Sequence, residues 1–117
     1  MRLLICGDRK WTNSQLIEDL FWYLRPDMLI AGGANGADST AAITAVRLQV
    51  PHTIFPAQWG KHGKSAGPIR NQQMIDEGKP DLIVAFHNHI EQSAGTADML
   101  MKAERQRIPY ALVEEIV

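Results

Sequence analysis

The chain of 117 residues contains a single cysteine, Cys6, which excludes a disulfide-stapled mini-protein. Long hydrophobic runs are missing too. No apolar stretch approaches the ~20 residues of a membrane span, and Met1–Cys6 is too short for a signal-peptide core before Asp8 and Arg9 interrupt it. These absences predict a cytoplasmic protein with no membrane partner. Charge of one sign is scarce: 12 basic side chains stand against 13 acidic ones, so the net charge of −1 gives no general attraction to a nucleic-acid backbone. Length sets a further bound. A dinucleotide enzyme with a separate substrate domain needs roughly twice this many residues, so residues 1–117 read as one domain whose site sits on a single core or between copies of it.

What is present is a hydrophobic content of 45% arranged as short apolar runs alternating with longer stretches of helical period. Strands are predicted at Arg2–Cys6, Met28–Ala31, Thr53–Phe55, Leu82–Phe86 and Tyr110–Val113. Helices are predicted at Ser14–Leu24, Ala37–Leu48, Gly67 to about Glu77, and Thr96–Arg107. Thr12 or Asn13 can cap the first, and Pro68 suits the first turn of the third, where its missing N–H goes unused. Ala57–Ala66 reads as the one long loop. Phe21, Trp22, Met99 and Met101 read as packing between helix and sheet, Met74 as core, and Ala41, Ala42, Ala45 and Val46 as one side of their helix. Strand and helix alternating along the whole chain predict an α/β fold: one Rossmann-like domain, a mainly parallel sheet of about five strands with helices on both faces. In such sheets a ligand lies beyond the carboxyl ends of the strands where strand order reverses. The loops after strands one, two and four are therefore the candidate site.

The loop after strand two, Gly32-Gly33-Ala34-Asn35-Gly36-Ala37-Asp38, leads into a helix. Gly32, Gly33 and Gly36 permit sharp turns and close backbone approach, and the helix start adds partial positive charge, a combination suited to phosphate. The order differs from both the dinucleotide fingerprint and the P-loop. Asp38 either caps the helix or meets a ligand hydroxyl, capping being the simpler role. Ser93-Ala94-Gly95-Thr96 opens another helix after strand four, with Ser93, Gly95 and Thr96 as partners of the first loop. After strand one, in Gly7-Asp8-Arg9-Lys10-Trp11, Arg9 offers a planar donor fork, and Trp11 either stacks on a ring or packs under the loop. Trp59 precedes Gly67-Pro68-Ile69-Arg70-Asn71-Gln72-Gln73-Met74, where Arg70 and Asn71 fall in a first helical turn.

No acid occurs between Asp38 and Asp76, where uniform placement gives about four. That stretch holds Arg47, Lys61, Lys64 and Arg70, so an anionic ligand fits it, as does a solvated basic face. His52, His62, His87 and His89 lack zinc spacing, and no metal or other cofactor is expected. Cys6 reads as a small buried hydrophobe, with no histidine evident to activate it.

Taken in order, G-D-R-K-W, G-G-A-N-G-A-D, W, G-P-I-R-N-Q-Q-M, a strand ending V-A-F, and S-A-G-T-A-D-M resemble the SLOG superfamily, closest to its small branch related to YspA and YpsA. The resemblance runs from Gly7 to about Pro109 and implies a Rossmann-like fold with a nucleotide or nucleotide-derived ligand. It extends distantly to the LOG phosphoribohydrolases, which cleave the N-glycosidic bond of adenosine-monophosphate-type substrates. On that pattern Arg70 takes the place of the functional arginine, Asn71 replaces a lysine, Met74 matches a methionine, and Gly95 and Thr96 match the G-T pair. Met99 stands where the catalytic glutamate is found, and methionine can neither stabilise a developing cation nor take a proton from water.

The leading expectation is binding of a nucleoside phosphate or ADP-ribose-like compound, with phosphate over Gly33–Gly36 and Gly95–Thr96, Arg9 and Arg70 as charge partners, and Trp11 or Trp59 stacking. The alternative is N-glycosidic hydrolysis, with Arg70 positioning phosphate and Asp98 or Asp8 replacing the glutamate. A third, single-stranded DNA binding, follows from the resemblance to DprA, a larger member of the superfamily, with the acid-free stretch and Trp59 in support. Dimers are usual in the resembling enzymes, so a homo-oligomer is implied.

Overall fold

The structure is a computed structural model that describes residues 1–115. Five strands form one parallel sheet: β1 (Arg2–Gly7), β2 (Met28–Gly32), β3 (His52–Phe55), β4 (Leu82–Phe86) and β5 (Tyr110–Val113). Their order is β3-β2-β1-β4-β5. The chain therefore winds outward from β1 in one direction and from β4 in the other, and the order reverses between β1 and β4. Gly7 pairs with Phe86 across that junction, which sets the loops after β1 and β4 side by side.

The period-2 alternation of buried strand residues divides the core in two. Leu3, Ile5, Leu29, Ala31, Val84 and Phe86 point to one face, covered by α1 (Ser14–Leu24) and α2 (Ala37–Arg47) through Ile17, Phe21, Ala41 and Ala45. Leu4, Cys6, Ile30, Ile83 and Ala85 point to the other. There α4 (Ala66–Gly78) and α5 (Ala94–Arg105) supply Met74, Ile75, Met99 and Ala103. Alanines on α2 let that helix approach the sheet closely.

Helix ends follow local chemistry. Asn13, rather than Thr12, caps α1, its Oδ1 accepting the Leu16 N–H at 3.2 Å. Ser93 caps α5 by accepting the Thr96 N–H at 3.1 Å. Arg25 and Lys79 take the left-handed conformation that ends α1 and α4.

Several expectations need correction. Ala57–Ala66 is not a continuous loop: Trp59–His62 forms a short helix, α3, followed by a 3₁₀ turn at Gly63–Ser65. Trp22 is 57% exposed, and Val46 and Met101 are also exposed, so none packs on the sheet. The reason is angular. Each residue turns a helix by about 100°, so Trp22 cannot share the buried direction of Phe21, Val46 that of Ala45, or Met101 that of Met99. Among the described residues no helix is long and apolar enough to cross a membrane.

Candidate functional site

A cleft of about 620 Å³ opens at the carboxyl ends of β1 and β4, where strand order reverses. Its floor is Cys6, Met74 and Met99. Its walls come from the loop after β1 (Gly7–Lys10), Ala34 and Asp38, the first turns of α4, and the opening of α5 (Ser93–Thr96). Trp59, Lys64, His87 and His89 also line it.

Arg70 is the best-anchored cation in this cleft. Its Nε–H donates to Asn71 Oδ1 at 3.2 Å and its Nη1 to the carbonyl of Phe55 at 3.3 Å, which fixes the plane of the guanidinium. The group lies directly over Gly32, where a Cβ would overlap Arg70 Nη1 and stand 2.7 Å from Asp38 Oδ2. Gly32 thus makes room for a cation and an acid in place of contacting a ligand, and it does not line the cleft.

Asp38 is 5% exposed, and its Oδ2 accepts the Ala34 N–H at 3.3 Å. Burial raises its carboxyl above the ordinary aspartate range, opposed by Arg70, by the Ala34 N–H and by Arg9. It does not cap α2: Gly36 occupies that position and no side chain caps the helix. Burial, reinforced by Asp38 and only partly offset by Arg70, pushes the Cys6 thiol up, so Cys6 is a neutral apolar floor.

Asn71 braces two helices. Its buried Nδ2 donates to Gly95 O at 3.1 Å and to Asp98 Oδ2 at 3.0 Å, which joins α4 to the opening of α5. Asp98 also takes Lys102 Nζ at 2.5 Å. Its carboxylate is committed to these partners and does not line the cleft, so Asp98 does not replace a catalytic glutamate there. Met99 occupies the floor instead.

The glycine loop after β2 is also used differently from expectation. Gly36, with φ of 72°, brings the loop against the backbone of Asp8 and Arg9, where a Cβ would overlap both. The Ala37 N–H donates to Asp8 O at 3.1 Å, and Gly33 sits against Pro56. A phosphate cradle over Gly33–Gly36 is thereby closed by the protein's own loops, and only Ala34 and Asp38 from this segment reach the cleft. Trp11 is buried beneath the loop, edge-on to Phe86 at 5.4 Å, its Nε1–H donating to Asn13 O at 2.8 Å. It offers no stacking face. Trp59 does: the residue is 55% exposed, its ring lies over Gly67 and it lines the cleft.

The opening of α5 faces the cleft, its Thr96 N–H held by the Ser93 cap. Ser93, Ala94, Gly95 and Thr96 all line the cleft, and nothing stands within 4 Å of a Cβ built at Gly95.

One pair escaped the sequence reading. His87 is buried at the cleft wall, its Nδ1 accepting the His89 N–H at 2.9 Å, which leaves the ring proton of the neutral imidazole on Nε2. That nitrogen faces Asp8 Oδ2 at 3.9 Å. Asp8 Oδ1 accepts the Lys10 N–H at 2.9 Å, while Oδ2 takes no hydrogen bond among the described residues. Weighing the histidines only as metal ligands hid this pair. The available signal was the position of His87, next after the strand that pairs with β1. Among the described residues no group of three or more His, Cys, Asp and Glu side chains is arranged to hold a metal ion.

No protein-family model matches the chain. By overall structure it is similar to DNA processing protein A (DprA) from Streptococcus pneumoniae, with a TM-score of 0.78 at 13% identity. The match covers 99% of this chain and 51% of that one, so the chain spans about half the length of DprA, and the likeness establishes a DprA-like Rossmann fold. By sequence it is 32% identical over 118 residues to the Gene 61 protein of Mycobacterium phage D29, covering 92% of each. That identity over nearly the full length of both places the chain in the same family as the phage D29 Gene 61 protein.

Proposed function

We propose that the protein binds a nucleotide or nucleotide-derived phosphate ester in the cleft between β1 and β4. The observation that carries this reading is Arg70, a guanidinium fixed in plane inside a 620 Å³ cleft at the reversal of strand order. The phosphate is assigned to Arg70, Arg9 and the start of α5, where Gly95 and the hydroxyls of Ser93 and Thr96 border the cleft, with Trp59 stacking on a ring. The loop at Gly7 and the Asn71 brace hold these groups in place. The motif resemblance to the YspA/YpsA-related branch of the SLOG superfamily supports the same ligand class. Calorimetry against nucleoside mono- and diphosphates tests it: wild type binds, and Arg70→Ala weakens binding at least tenfold. A folded protein silent towards every nucleotide overturns the proposal.

A second reading, N-glycosidic hydrolysis, is favoured by one observation, the unengaged Oδ2 of Asp8 in the cleft. Here Asp8, not Asp98, takes the proton of the attacking water, and the departing base receives that proton. Incubation with nucleoside monophosphates and chromatography for free base decides it. Asp8→Asn abolishes release while leaving binding within a few-fold; release that survives this substitution removes the reading.

A further inference from the structure

Asp8 and His87 face one another across the junction of β1 and β4, where Gly7 pairs with Phe86. Backbone bonds orient both side chains from behind. Asp8 Oδ1 accepts the Lys10 N–H, and His87 Nδ1 accepts the His89 N–H. What remains is a carboxylate oxygen, Asp8 Oδ2, and an imidazole N–H, on His87 Nε2, 3.9 Å apart. That is too far for a hydrogen bond between them. Neither atom has another hydrogen-bond partner among the described residues, where no fully enclosed side-chain nitrogen or oxygen goes unbonded. Both atoms therefore reach the open space of the cleft that their residues line.

The gap selects its occupant by chemistry. One oxygen at hydrogen-bonding distance from both atoms bridges it, provided that the oxygen accepts from His87 and donates to Asp8. An ionised phosphate or carboxylate oxygen has no proton to give and is repelled by Asp8. An ammonium or amide N–H has no lone pair for His87. A hydroxyl meets both demands. Arg70, in the same cleft, calls for an anion, so the cleft holds one place for a phosphate and a separate place for an alcohol.

Resting on the nucleotide reading of the cleft, we propose that Asp8 and His87 read a free ribose hydroxyl, 2′ or 3′, and so restrict the ligand to ribonucleotides. A nucleotide lacking that hydroxyl strands an oriented donor and an oriented acceptor against its sugar, which costs more than the missing bond alone. An internal unit of a DNA strand supplies neither hydroxyl, since its 2′ carbon bears only hydrogen and its 3′ oxygen is esterified.

Calorimetry of the full chain with the common ribonucleoside 5′-monophosphates, each beside its 2′-deoxy and 3′-deoxy forms, tests this. A ribonucleotide that binds loses about tenfold or more in affinity when one of the two hydroxyls is removed, and the sensitive position identifies the hydroxyl that is read. Asp8→Ala and His87→Phe each bring that preference to within about twofold, because each removes one half of the pair. Asp8→Asn still offers the hydroxyl an amide to bond and loses little. Folding is checked by circular dichroism, and Asp8 is only partly buried, so Asp8→Ala decides the matter if His87→Phe does not fold. If both deoxy forms bind as tightly as the ribonucleotide, or if the preference survives Asp8→Ala, the hydroxyl reading is overturned while the nucleotide reading stands. If no nucleotide binds to folded protein, the nucleotide reading falls and this inference with it.

Discussion

Of the helix openings at the carboxyl edge of the sheet, those of α2 and α5 are both marked by glycine. At α2 the glycines serve packing. Gly36 lets one loop touch the backbone of another, Gly32 clears space for Arg70 and Asp38, and the Ala37 N–H is taken by Asp8 O. At α5 the single Gly95 has open space around it and borders the cleft. The opening richer in glycine is thus the closed one, because glycine permits close approach without specifying whether backbone or ligand does the approaching. The same contrast holds for two tryptophans. Trp11, nearest the expected site in sequence, is part of the core, and Trp59, in what read as a loop, lines the cleft.

The largest expected effect breaks the tryptophan contrast. Trp11→Ala removes a buried indole and its edge contact with Phe86, costing about 3–5 kcal/mol of stability in urea unfolding. Trp59→Ala changes stability by less than about 1 kcal/mol and weakens nucleotide binding in calorimetry. Equal losses of stability would abolish the distinction between core and rim.

Next comes the glycine contrast. Gly36→Ala forces a Cβ into a left-handed backbone position and onto the Asp8–Arg9 backbone, costing about 2–4 kcal/mol by the same measurement. Gly95→Ala has open space and a helical position, so its effect on stability is about zero or slightly favourable, by up to ~1 kcal/mol. Its methyl group instead intrudes on the ligand, and affinity falls.

The smallest effect is one of slope. Burial raises the Asp38 carboxyl in the folded state, so between its unfolded and folded pKa values the native protein holds the extra proton. Stability then falls as pH rises through that window, and the cost is fully present above it. Asp38→Asn removes this contribution. The stability of Asp38→Asn relative to wild type should therefore climb with pH across the acid range in parallel urea titrations. A difference independent of pH would show that Asp38 titrates normally.

Much of the fold was legible in the chain. Alternating apolar runs and helical periods located all five strands and the four longer helices, because the pleat and the helical turn each impose a period on burial. The meeting of the loops after β1, β2 and β4 at the carboxyl edge of the sheet was legible for the same reason. Less legible was which neighbour each loop residue meets. Asp98 looked available one position from Met99, yet Asn71 and Lys102, on α4 and one turn along α5, hold its carboxylate. The Asp8 and His87 pair joins residues 79 positions apart through the register of β1 on β4, which no local pattern announces.

The sequence by itself determined the α/β class, the parallel winding and the cluster of loops at one edge of the sheet, since these follow from short-range periodicity and chain connectivity. Only the tertiary structure decided that the glycine loop is closed, that Trp11 is core, and that Arg70 is pinned inside the cleft. Those outcomes depend on which backbones and side chains meet across the sheet edge, and contact at a distance along the chain is fixed by packing in three dimensions.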